Sequence, residues 1–281
     1  MNTGPNYGLV FLTFARNSLV RDMTFRANFI IECLSTITWT MMDLGFYLLI
    51  YRFTDNIAGW GKYEFFIFLG TSKLINAIVQ AFFMPNCEEV SDLIRTGGLD
   101  FAMLKPIDTQ FLVSLRKVDW SSLSHGLVGT VLLAISLSNL TQRAEQPLVL
   151  APLAVATYIL LLFAGVAIMY SVMIALAATS IWMGQNSSLY DFWFYITNIS
   201  RYPMEIYTGP WGRPLQMICT FVLPVLVVVN VPAHVLAQPF TDISGKMWWL
   251  PTFTLAAAVV CLAASRWVFV RALRSYRSAS S

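Results

Sequence analysis

From Leu148 to Met183 the chain runs for 36 residues without a charged side chain. A water-soluble helix buries one apolar stripe and keeps a polar face, so a run like this calls for complete burial or a membrane. About 20 apolar residues cross the roughly 30 Å hydrocarbon core of a bilayer. Within that core every backbone N–H and C=O needs a protein partner, which admits only helices and closed barrels. The run therefore predicts a tilted spanning helix with an extension on the inner side.

The rest of the chain has the same character. Hydrophobic residues make up 57% of 281 positions and charged residues 12%, against roughly 25% charged in a soluble domain. Further apolar stretches run over about Phe29–Tyr51, Tyr63–Met84, Trp120–Leu140, Leu215–Leu236 and Trp248–Val270. The predicted fold is an all-α integral membrane protein with about six transmembrane helices in one membrane domain, residues 1–281. The aromatic, mixed-polarity stretch from Gly184 to Arg213 is too polar for a span and is assigned to the interface or to a re-entrant piece.

Charge placement sets an orientation. With both termini inside, the inner segments hold 13 of the 18 basic residues, Arg201 and Arg213 among them. Arg52, Lys62, Arg143 and Lys246 lie outside, and Lys73 falls within the second span. This asymmetry follows the positive-inside rule. Residues 1–27 read as a cytoplasmic or interfacial lead-in without a removable signal peptide, mixing Leu, Val and Phe with Arg16, Arg21 and Arg26 as a surface-lying helix does. Residues 271–281 form a cytoplasmic tail.

Several chemistries are excluded. There is no GxxxxGK[ST] phosphate loop, no HExxH, no GxSxG and no nucleic-acid-like basic cluster, and the four cysteines lack CxxC spacing. No catalytic or metal-ligating set emerges. The intramembrane polar candidates are Glu32, Asp43, Lys73 and Asn230, because ionisable groups within spans are costly and face protein or water. Asp43 and Lys73 lie about 12 and 15 Å below the predicted outer ends of their helices, at matching depth. They form either a structural ion pair or a polar contact on a substrate path. Glu32, near the inner boundary, is expected to meet Arg21, Arg26 or headgroup water. Pro224 and Pro232 are helix-breaking candidates in the fifth span, giving either a kink or a break after Asn230 that re-enters before the last span, the latter favoured by Pro239 and the polar run Thr241–Lys246.

The inner loop, residues 86–118, carries the most informative polar segment. It starts at Asn86, a cap-type residue, places Glu88 and Glu89 in a first turn and ends at Arg95 before Gly97. It reads as a short capped helix, either merely solvated or a docking element for a soluble partner.

Three stretches carry a resemblance: IRTGGLDFAMLKPID (Ile94–Asp108), RYPMEIY (Arg201–Tyr207) and FVLPVLVVVNVPAHVL (Phe221–Leu236). In this order and spacing they resemble the six-span permease subunits of type-two ABC transporters, in the subfamily formerly grouped as a domain of unknown function. Gly98 departs from it, standing where relatives commonly carry an acidic residue before Leu-Asp. The resemblance implies a half-transporter that pairs with a second permease, identical or related, and with two ABC ATPase subunits that bind the ATP and Mg; this chain itself binds no cofactor. It makes the inner loop the coupling helix, with Glu88, Glu89, Asp92 and Arg95 as ATPase contacts and Gly97, Asp100, Lys105 and Pro106 shaping the turn that follows. A lipid-like or amphipathic cargo is the corresponding expectation. The alternatives are a membrane-embedded enzyme acting on lipid-linked substrates, with Glu32, Asp43 or His125 as acid or base, and a non-transporting scaffold.

Overall fold

A computed structural model describes residues 5–143, 147–183, 188–237 and 249–276. Helix α1 (Tyr7–Thr24) leads into α2 (Arg26–Ile50), and a small antiparallel hairpin, β1 (Asn56–Ile57) with β2 (Trp60–Gly61), turns the chain into α3 (Lys62–Phe82). Four short helices follow, α4 (Met84–Glu88), α5 (Val90–Arg95), α6 (Gly98–Met103) and α7 (Thr109–Leu115). The long helices α8 (Leu123–Thr141) and α9 (Pro152–Met183) precede α10 (Ser188–Ser200), α11 (Gly209–Met217), α12 (Val225–Ala237) and α13 (Trp249–Ser275). Five of these helices, α2, α3, α8, α9 and α13, are long and apolar enough to cross a membrane, and the pair 209–222 and 225–237 makes a sixth if counted as one bent span. The all-α membrane fold expected from the apolar runs is the one observed.

Local chemistry sets the ends of these helices. Asn6 starts α1 by accepting the Leu9 N–H at 3.2 Å, and the helix stops where Phe25 leaves helical backbone (φ −105°, ψ 45°). Its buried side carries Ala15 and Ser18. The Ser18 hydroxyl accepts the Val118 N–H at 3.1 Å and the Ala15 carbonyl accepts the Trp120 indole N–H at 3.2 Å, while Leu9, Leu12 and Val20 stay exposed. Trp120, placed by hydropathy in the third span, thus belongs to the turn before it, and α8 starts at Leu123.

The helices touch through small residues. A Cβ on Gly129 would sit 2.8 Å from the Gly70 carbonyl oxygen, so α3 and α8 meet backbone to backbone. Van der Waals contact of this kind replaces the hydrophobic drive that lipid does not supply. At the centre α12 packs on α9 and α3, with Leu226, Val227 and Val228 wholly buried.

The fifth span differs from its expected form. The break lies at Leu223–Pro224, where the helix widens into a π-turn over Ile218–Val222 and the following axis swings by 87°. It does not lie after Asn230: α12 continues through Pro232 to Ala237. Proline cannot donate to the carbonyl four residues back, here that of Val228. That oxygen lies close to Gly165 of α9, where an added Cβ would come within 2.9 Å, so α9 covers the carbonyl that the proline leaves without its helical donor. Pro239 and Thr241–Lys246 lie outside the described residues. At the C-terminus α13 continues through Arg271 and Arg274 to Ser275.

Candidate functional site

The inner loop is closed by one buried amide. Asn86 does not cap a helix; it lies inside α4, where its Nδ2 donates to the Phe82 and Lys117 carbonyls (2.8 and 2.7 Å) and its Oδ1 accepts the Lys117 N–H at 2.8 Å. Both ends of the 86–118 segment are thereby held together. The expected single helix is two: Pro85 stands in the first turn of α4, where its missing N–H and fixed φ are tolerated, and the backbone tightens at Glu89 (φ −71°, ψ −12°) before α5. Glu89 turns back onto Lys117 and Arg116, so its carboxylate is engaged within the chain.

What faces outward is compact and mixed. Asp92 and Arg95 pair at 3.1 Å with about two thirds of each side chain exposed (68% and 67%). Gly97 adopts the left-handed conformation (φ 71°) that lets α6 start at once in a new direction. On α6 and just past it stand Phe101 and Leu104, 71% and 81% exposed, beside exposed Lys105 and Pro106. Asp100 lies against Tyr276 beyond α13. Glu88 is exposed towards a cavity that Asp92 also lines, and partial burial raises its carboxyl above the ordinary value. Sequence reading missed Phe101 and Leu104, although two large apolar residues in so polar a loop were a signal.

This outward surface is fastened to the long helices. Ser91 on α5 donates to Ser180 on α9 at 3.0 Å. Asp108 caps α7 by accepting the Phe111 N–H at 3.0 Å, and Arg266 of α13 grips both its oxygens (3.0 and 2.5 Å) while also donating to Gln110 at 2.9 Å. Gln110 in turn donates to the Tyr170 hydroxyl of α9 at 2.9 Å. Burial pushes the Asp108 carboxyl up, but Arg266 and the Phe111 N–H outweigh it and hold the group below its usual range.

A second polar assembly lies among the spans. Lys73 reaches Asp43 at 3.4 Å, as their matched depths suggest. Arg201 occupies the other Asp43 oxygen, so it leaves the set of inner-loop cations used to orient the chain. The turn that follows is pinned at each step. The Met204 N–H donates to Asn230 Oδ1 at 2.8 Å, and Asn230 donates onward to the Leu226 carbonyl at 2.7 Å. Glu205 accepts the Trp60 indole at 3.0 Å and bonds His234 at 2.8 Å, the two rings lying 4.3 Å apart. Residues 201–206 thus join α2, α3, the hairpin and α12. Arg201, Glu205, His234 and Trp60 were not singled out as site residues; the Arg and Glu of RYPMEIY, four apart, were the available signal.

Glu32 lines a cavity of about 1190 Å³ with Glu88, Asp119 and His125. Its partner is Asn28, at 2.7 Å, not Arg21, which pairs with Asp22, nor Arg26. Asp119 accepts the Ser121 and Ser122 hydroxyls, each at 2.6 Å. Asp43 is not on this cavity, so the acid–base set Glu32, Asp43 and His125 does not converge on one place. Among the described residues no group of three or more His, Cys, Asp or Glu side chains is placed to hold a metal ion.

No curated protein and no solved structure matches the chain. A family model, described as ABC-2 family transporter protein, matches residues 37–280, a range that takes in both the inner loop and the 201–206 turn. The chain therefore belongs to the ABC-2 transporter family, as a multi-pass membrane permease component of an ABC transporter.

Proposed function

We propose that this chain is the permease subunit of an ATP-driven exporter of a lipid-like or amphipathic substrate. In this reading two copies of a separate ATPase bind ATP and Mg, and a second permease completes the path. Both termini face the cytoplasm of a bacterium, at its inner membrane. The observation that carries the reading is the exposed surface of α5 and α6, where the Asp92–Arg95 pair stands near Phe101 and Leu104. Large exposed apolar side chains in a polar loop mark an interaction surface. ATP-driven approach of the two ATPases would press on this surface and shift the permeases between inward- and outward-facing states.

Co-expression of the tagged chain with its candidate ATPase tests this. Phe101→Ser with Leu104→Ser is expected to lower ATPase recovery at least tenfold while the chain still elutes as a single species. Replacing Glu88, Glu89 and Asp92 together by Ala is expected to weaken recovery further or to uncouple ATP hydrolysis. Full ATPase recovery and unchanged hydrolysis in both variants would sink the assignment.

A further inference from the structure

We infer that Lys73 and Arg201, with the Tyr47 hydroxyl beside them, form a binding site for the anionic headgroup, phosphate or carboxylate, of an amphiphile. Two cations here share one carboxylate: Lys73 takes one oxygen of Asp43 and Arg201 the other. Among the described residues neither cation makes another ion pair, and Glu205, four residues on, is committed to His234 and Trp60. The cluster therefore carries one excess positive charge.

Its position makes that excess consequential. Asp43 is seven residues from the end of α2 and Lys73 eleven into α3, about 10 and 16 Å along their helices. Within a bilayer such a charge persists where an anion or water offsets it. Donors are in surplus too. Both Asp43 oxygens are occupied, whereas a guanidinium offers five N–H groups and an ammonium three. The Tyr47 hydroxyl, on a side chain only 2% exposed, has no acceptor for its proton. A planar, forked guanidinium beside an ammonium suits a phosphate or carboxylate.

The site is open on one side. The Arg201 and Lys73 side chains are 38% and 20% exposed. Trp39 and Phe46, four residues before Asp43 and three after it, share its helical face and are 64% and 55% exposed. An anionic headgroup held by the two cations would leave its acyl chains along this apolar face of α2. The inference rests on the chain spanning a membrane and not on the ATPase, so it can fail while the partner reading stands.

The test is lipid retention by the purified full-length chain, measured by native mass spectrometry with equimolar phosphatidylglycerol and phosphatidylcholine, and separately with inorganic phosphate. The wild type is expected to retain phosphatidylglycerol at least fivefold over phosphatidylcholine. Lys73→Met and Arg201→Gln should each abolish that preference, and R201K should keep most of it. Asp43→Asn, which frees both cations, should strengthen it, a direction that a purely structural ion cluster does not give. Displacement by millimolar phosphate would support a site for the free anion, and its failure to displace would assign the site to the amphiphile. Equal retention of both lipids by the wild type, or an Asp43→Asn loss matching that of Lys73→Met, would overturn the proposal. If Lys73→Met does not elute as a single species, Arg201→Gln and Asp43→Asn decide.

Discussion

Asn230 shows how much one buried amide can organise. It satisfies the Met204 N–H and adds a donor to the Leu226 carbonyl from a position with no solvent exposure. Removing one partner of a buried bond costs about 1–3 kcal/mol, because the other is left without water. Asn230→Ala is accordingly expected to lower the thermal unfolding midpoint in detergent by several degrees, and an unchanged midpoint would show that the turn finds another acceptor. Hydropathy pointed to Asn230 as a polar residue in a span, yet its partner, 26 residues earlier, was hidden. Asp43 and Lys73 were matched because depth along a helix can be counted from sequence. Arg201 was not, because window averages assign so polar a stretch to a loop.

Helix contacts carry their own tests. Gly129→Ala places a methyl against the Gly70 carbonyl and is expected to cost about 1–3 kcal/mol through forced separation of α3 and α8. Gly45→Ala, with nothing within 4 Å, should be neutral or stabilising by about 0.5–1 kcal/mol; the first midpoint should therefore fall while the second holds or rises. At α7 the Asp108 carboxyl titrates lower folded than unfolded. Its contribution is present above the ordinary aspartate value of about 3.9 and is lost as pH falls through the folded value. Being partly exposed, the pair contributes about 1 kcal/mol or less. Melting of the wild type between pH 6 and 3 should fall more steeply than that of Asp108→Asn. The long apolar helices were legible because lipid leaves the backbone no alternative. The site of the break was not, since whether a proline interrupts a helix depends on what covers the carbonyl it orphans, and Gly165 belongs to another helix.

For the whole molecule, orientation can be measured directly. In a cysteine-free background, Asn56→Cys in the hairpin is expected to react with an impermeant maleimide added outside intact cells. Arg95→Cys should react only after lysis, and the reverse pattern would invert the topology. One dimension gives this arrangement mechanical meaning. Helix α9 is a single piece of 32 residues, about 48 Å long, in a bilayer whose core is about 30 Å thick. Its foot is tied to α5 through Ser91 and Ser180. A rigid rod of that length, tilting by about 5°, carries its far end sideways by about 4 Å. The helix can thus act as a lever, with a small stroke at the loop read out as a gap on the opposite face.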